Sequence, residues 1–166
     1  MKPSYEIIEK LSFTEQHRTI LAGMLKKQEK VPPPYDNKID RCIFLCIASI
    51  DGAAVAIGAI KKRTASVFSQ SKADKRALSK AVDWELGYVF TEEAYRRNGI
   101  APKVVSKLIE AIGNCSLMAT TEVTANERMV SILESFGFKR YGKSWKSVMH
   151  KNDLGLWLKL KNTETY

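Results

Sequence analysis

W-E-L-G-Y-V-F-T-E-E-A-Y-R-R-N-G-I-A-P-K-V-V-S-K-L-I-E-A-I, running from Trp84 to Ile112, is the stretch whose reading decides the fold. It opens with strand composition, passes through a polar and basic turn, and continues as a helix whose first turn carries Gly99 and Ala101. The amides of a helix start have no acceptor inside the helix, and the helix dipole adds positive potential there, so the geometry suits a phosphate. Arg96 and Arg97 place side-chain charge just ahead of those amides. Ile100, Val104, Leu108 and Ile112, flanked by Val105 and Ile109, form the apolar stripe that fastens the helix to a core. Pro102 stands where its missing donor costs nothing, and Gly113-Asn114 ends the helix.

Downstream, Leu117 to Val123 reads as a strand, and Asn126 caps a short helix bearing Met129, Ile132, Leu133 and Phe136 on one face. Gly137 stops that helix, with Phe138 as the hydrophobic contact of a C-terminal cap. Lys139 to Trp145 and Leu154 to Lys161 read as a final antiparallel pair, and Asn162 to Tyr166 as a tail. Upstream, Tyr5 to Leu11 has strand composition, and Ser12 with Glu15 fits a capping box opening a helix to about Lys30. His17 falls on or beside that helix's apolar face and reads as a partly buried core histidine. The prolines of Val31 to Tyr35 make a stiff extended connector. Arg41 to Ile50 is apolar enough to be covered on both faces, Asp51-Gly52 is a hairpin turn, and the small-residue run Ala53 to Ile60 returns antiparallel with something packed close against it. Lys61 to Val82 is basic and Ser-rich, with a short helix over Lys72 to Leu78, and reads either as a substrate-contacting loop or as a mobile solvated connection. The order β-α-β-β-insert-β-α-β-α-β-β calls for an α/β (α+β) fold. Its central sheet is mixed, mostly antiparallel, with about seven strands flanked by helices, in a single domain over residues 1–166.

Composition narrows the class without choosing a function. With 166 residues, 45% apolar and 27% charged, the chain has the makeup of an ordinary globular domain, and no apolar run approaches the length of a membrane span. The start Met1-Lys2-Pro3-Ser4-Tyr5 lacks an apolar signal segment, so a cytoplasmic location is expected. Cys42, Cys46 and Cys115 have no metal-binding spacing; Cys42 and Cys46 read as small buried hydrophobes, and no metal is expected. A net charge of +9 favours an anionic partner, whether nucleotide cofactor, acidic protein or RNA, without selecting one.

The central motif resembles that of the GNAT superfamily of CoA-dependent N-acyltransferases. The family's phosphate motif, Gln/Arg-x-x-Gly-x-Gly/Ala, is matched by Arg96-Arg97-Asn98-Gly99-Ile100-Ala101 at every fixed position. The acidic and aromatic lead-in Glu92-Glu93-Ala94-Tyr95 and the spacing of Asn126 to Gly137-Phe138 extend the likeness. The resemblance implies acetyl-CoA as co-substrate, with its pyrophosphate cradled by the amides from Arg97 to Ala101 and its pantetheine amides paired with Val89, Phe90 and Thr91. Asn126 would lie close to the cofactor. The implied activity is acetyl transfer to a primary amine of an unidentified small molecule, peptide or protein, by a monomer or a homodimer. A large anionic acceptor such as aminoacyl-tRNA and a non-catalytic CoA-binding role are the alternatives. The last strand, with Trp157 taken as exposed, would supply a dimer contact.

Acetyl transfer needs a neutral amine, a polarised thioester carbonyl and a proton for the departing thiolate. Some family members place a base at the position of Glu85, whose neighbours Trp84 and Leu86 would raise its pKa. Others keep it in the region where Glu122 stands, so Glu85 is the preferred base and Glu122 the alternative. Many members carry a tyrosine as proton donor at the position occupied here by Leu133, leaving Ser131, Ser135, Tyr88, Tyr141 or water for that step.

Overall fold

The computed structural model describes residues 2–162; of the expected tail, residues 163–166 lie outside them. The chain divides into two compact units, Met1–Lys61 with Leu86–Gly113, and Lys62–Glu85 with Asn114–Tyr166. The described residues contribute seven strands in the order β1-β2-β3-β4-β5-β7-β6.

The first unit contains β1 (Ser4–Glu9), α1 (Glu15–Gln28), β2 (Cys42–Ile50), β3 (Ala53–Lys61), α2 (Ile100–Ile112) and the greater part of β4 (Trp84–Thr91). β1 and β3 both pair antiparallel with β2, and Asp51 and Gly52 close the β2–β3 turn with φ of 50° and 80°, as a two-residue hairpin requires. Leu21, Met24 and Leu25 of α1 bury against Ile8, Leu45, Ile47, Ile57 and Ala59. The close packing expected of β3 is supplied by α2. A Cβ added at Gly58 would lie 2.6 Å from Val104 Cγ1 and 3.0 Å from Leu108 Cδ1.

The start of α1 corrects the sequence reading. Thr14, not Ser12, is the N-cap, and Ser12 lies in a preceding 3-10 turn. His17 is no core histidine. Its backbone N–H donates to Thr14 Oγ1 at 3.3 Å and its Nδ1 accepts the Thr14 N–H at 3.1 Å, so it takes the part in the capping box that was assigned to Glu15. The helix ends at Gln28, with Glu29 in the left-handed region as its C-cap.

The second unit contains the start of β4, β5 (Leu117–Glu122), α3 (Glu127–Ser135), β6 (Lys139–Lys146) and β7 (Asp153–Lys159). β4 pairs in parallel with β5 at Trp84–Leu117 and Glu85–Met118, while β7 pairs antiparallel with both β5 and β6. Trp157 is 1% exposed on β7, which runs between β5 and β6. The expectation of an exposed dimer strand there is overturned, because a strand paired on both sides has no ladder groups left for a partner. Residues 62–82 are not a mobile connection either. They form 3-10 turns at Ala65–Phe68 and Arg76–Ala81 in place of a helix over Lys72–Leu78, and bury Val67, Phe68, Ala73 and Val82 with Met118, Leu156 and Leu158. A basic surface pattern hid an apolar anchor.

Candidate active site

In the first unit, the turn before α2 has the backbone of an anion cradle. Arg97 and Gly99 both lie in the left-handed region, with φ of 66° and 73°, and Gly99 is the N-cap of α2 with no side-chain cap of its own. The amides of Ile100 and Ala101 follow at the positive end of the helix dipole, where an anion is favoured. A Cβ added at Gly99 would meet no heavy atom within 4 Å, so the backbone conformation, and not crowding within the chain, selects glycine. Asn98 serves the turn itself, its Nδ2 donating to the carbonyls of Tyr95 at 3.0 Å and Arg96 at 3.1 Å. Arg96 is folded back on β4. Its Nε donates to the Thr91 carbonyl at 3.1 Å and its guanidinium lies 5.7 Å from the Phe90 ring centroid, which fixes the charge beside the turn.

The part of β4 just before this turn is irregular. Tyr88 has φ of 56°, an unusual value for an aromatic residue inside a strand, and no signal in the sequence announces it. Lys61, buried at the end of β3, lies across Gly87, where an added Cβ would come within 2.7 Å of Lys61 Cε. Its Nζ is 4.3 Å from the Tyr88 ring centroid. The Val89 carbonyl accepts from Gln28 Nε2 at 3.1 Å, so one lone pair of the strand edge expected to pair with pantetheine is engaged within the chain.

In the second unit, both candidate bases are buried. Glu85 Oε1 accepts the backbone N–H of Thr64 at 2.9 Å, holding the start of residues 62–82 to β4. Glu122 Oε2 accepts from Asn152 Nδ2 at 3.1 Å, and Glu122 Oε1 lies 3.5 Å from His150 Nε2. His150 Nδ1 in turn accepts the Asn152 backbone N–H at 3.3 Å. Glu85 stands opposite Met118, and Glu122 follows on the same face of β5, about 13 Å farther along at ~3.3 Å per residue. Two carboxylates so far apart do not share one proton; they are alternatives. His150 and Asn152 were not legible as site residues, since they lie in the β6–β7 loop with no spacing that ties them to Glu122.

The acetyltransferase (GNAT) family matches residues 11–138. The chain belongs to this family. No curated protein sequence matches it. Among solved structures, an acyl-CoA N-acyltransferase from Pseudomonas aeruginosa is similar with a TM-score of 0.70 at 10% identity, over 95% of this chain and 99% of that one. The NatC complex bound to Gag peptide and CoA aligns with a TM-score of 0.70 at 17% identity, over 98% of this chain and 100% of that one. A putative acetyltransferase, yncA, from Salmonella typhimurium with its cofactor acetyl-CoA aligns with a TM-score of 0.66 at 12% identity, over 100% of this chain and 98% of that one. At such identities the structural likenesses establish the fold, a mixed, mostly antiparallel sheet of seven strands flanked by helices.

This GNAT chain is therefore an N-acetyltransferase with acetyl-CoA as co-substrate. Among the described residues no group of three or more His, Cys, Asp or Glu is placed to hold a metal ion, and no helix is long and apolar enough to cross a membrane. The position that holds a tyrosine in many GNAT members is closed here. Leu133 is 1% exposed, and its carbonyl accepts the Phe138 N–H at 3.0 Å in the C-terminal cap of α3. Of the substitutes, Ser135 Oγ donates to Ile132 O at 2.7 Å within the helix, and Tyr141 packs beside the core of the second unit. Asn126 Oδ1 accepts the Met129 N–H at 3.3 Å, so its capping role is filled.

Proposed function

We propose that residues 1–166 act as one N-acetyltransferase domain that moves the acetyl group of acetyl-CoA to a primary amine by direct attack in a ternary complex. The observation that supports this reading is the paired left-handed geometry of Arg97 and Gly99 at the start of α2, which suits a pyrophosphate. The pantetheine arm is assigned to Val89, Phe90 and Thr91, and Asn126 to its vicinity. The cofactor supplies an activated thioester. The amine nitrogen bonds to the acetyl carbon, the carbon–sulfur bond breaks, the ammonium proton passes to a carboxylate, the CoA thiolate takes a proton from water, and the carboxylic acid returns its proton to the hydroxide so formed. Glu122 is the favoured base, because two side chains of the β6–β7 loop converge on it in a buried position. Glu85 is second, since its contact with Thr64 already gives it a structural task.

The test is thermal unfolding with and without acetyl-CoA, followed by thiol release from acetyl-CoA with an amine panel of peptides, polyamines, aminoglycosides and aminoacyl-tRNA. Ligand at a hundred times its dissociation constant stabilises the chain by about 2.7 kcal/mol, and Gly99→Val is expected to abolish most of that gain. No stabilisation well above micromolar ligand overturns the reading. Stabilisation without thiol release with any amine indicates a CoA-binding module. Glu122→Gln is expected to lower turnover with the best acceptor at least tenfold; unchanged turnover removes Glu122 as base and moves the assignment to Glu85.

One observation favours a large anionic acceptor as a second reading. Ala73 and Lys75 of the inserted segment, with Lys72 and Arg76 beside them in sequence, meet β6, which carries Lys139, Arg140, Lys143 and Lys146: the Lys143 N–H donates to the Ala73 carbonyl at 3.1 Å, and a Cβ on Gly142 would lie 3.0 Å from Lys75 Cγ. An aminoacyl-tRNA acceptor would show a KM that rises steeply with salt, whereas a small amine would not.

A further inference from the structure

We propose that His150 is a positioning residue that, together with Asn152, holds the Glu122 carboxylate ready to receive the acceptor's proton; the catalytic part of this inference rests on the assignment of Glu122 as base. His150 Nδ1 accepts the Asn152 N–H at 3.3 Å, so the neutral imidazole carries its hydrogen on Nε2, the nitrogen that lies 3.5 Å from Glu122 Oε1. The other carboxylate oxygen takes Asn152 Nδ2 at 3.1 Å. One oxygen thus takes a hydrogen bond from Asn152, and His150 of the same short loop presents its Nε2 beside the other.

The loop is built to present these donors. Ser147 N–H donates to the Asn152 carbonyl at 3.0 Å, Lys151 N–H to the Ser147 carbonyl at 3.0 Å, and Met149 N–H to Ser147 Oγ at 3.1 Å. Lys151 adopts φ of 60°, which reverses the chain between His150 and Asn152. At its foot, Val123 N–H donates to the Asp153 carbonyl at 2.9 Å, tying the loop to the residue after Glu122. The side chains of Glu122 and His150 are 6% and 19% exposed, so their contact is shielded from water.

His150 is not a relay. Its Nε2 already carries a hydrogen, and its Nδ1 faces a backbone donor, so the neutral ring has no lone pair to offer a proton arriving at Glu122. Its effect is to stabilise the ionised carboxylate, and protonation of the ring would exchange the Asn152 bond for a full ion pair with Glu122. Other charged groups at the loop include Lys151 on the loop itself and the Asp153–Lys146 pair, 3.0 Å apart at its foot.

Two measurements test this. In the full chain without any ligand, nitrogen-15 NMR of the imidazole is expected to show Nε2 protonated and Nδ1 bare at pH 8, and carbon-13 NMR of the Glu122 carboxyl is expected to titrate at higher pH in His150→Ala than in the native chain. His150→Gln, which keeps an N–H donor, is expected to shift the titration less. In turnover with one fixed peptide amine, the acid limb of the kcat/KM profile moves upward in His150→Ala with a loss of about tenfold at pH 7, while the KM for acetyl-CoA stays within twofold. The opposite tautomer, or a Glu122 titration unmoved in a folded His150→Ala chain, overturns the inference. If the titration moves but Glu122→Gln keeps full turnover, the positional role stands, the catalytic part of the inference fails, and the base assignment was wrong.

Discussion

Cys42 and Cys46 lie fully buried on β2, and loss of hydration pushes both thiols up to about 12. Lys61, Arg41 and Lys10 near Cys42 and Lys107 near Cys46 pull the other way, but burial is the larger cause in each case. The unfolded thiols ionise near 9, so the native advantage is complete below that pH and is lost as pH rises toward 12. The urea midpoint is therefore expected to fall between pH 8.5 and pH 10.5 in the native chain, and to fall less in a Cys42→Ala, Cys46→Ala double variant. Native chain at pH 8 should leave both thiols unmodified by iodoacetamide until urea is added. Rapid labelling of either without denaturant contradicts their burial. These cysteines were readable because a continuous apolar run around them admits one environment. His17 was not, because Ser12 and Thr14 both precede plausible helix starts, and only the backbone decides which of them caps α1.

At the scale of elements, the central strand-turn-helix and the C-terminal cap of α3 followed from local chemistry. The Gly137 N–H donates to Glu134 O and the Phe138 N–H to Leu133 O, both at 3.0 Å, which is the arrangement that Gly-Phe after an apolar helix face specifies. The docking of residues 65–75 on β6 had no such local signature. It depends on Gly142, which has φ of 75° and whose added Cβ would sit 2.1 Å from the Ala73 carbonyl oxygen. Backbone on both sides of that clash leaves no flexible side chain to give way. Gly142→Ala is expected to cost about 2–4 kcal/mol, combining the left-handed penalty with loss of the Lys143–Ala73 bond and its packing. A urea midpoint within error of the native one would show that the segment does not need this close approach. The irregularity at Tyr88 was equally silent, since a tyrosine gives no hint of positive φ.

For the whole molecule, the sequence placed most helices and strands and the turn before α2, because each depends on neighbours in the chain. It misread the exposure of β7 and the nature of the insert, because both are decided by residues far apart: Trp157 pairs across to Ala119 and Arg140, and Phe68 packs with Leu156. The last consequence concerns that insert. The Ala73 N–H donates to Val67 O and the Lys75 N–H to Phe68 O, both at 3.0 Å, while Phe68 is 1% exposed and Val67 5%. Amides held this way exchange only when the segment lifts from its core, so Ala73 and Lys75 are expected to exchange at least a hundredfold more slowly than an unstructured chain, despite the basic, Ser-rich sequence around them. Phe68→Ala removes a fully buried ring and is expected to cost about 3–5 kcal/mol and to erase that protection. Fast exchange at Ala73 and Lys75 in the native chain would return the segment to the solvated connection its composition suggests. It would also remove the basic surface on which an anionic acceptor depends.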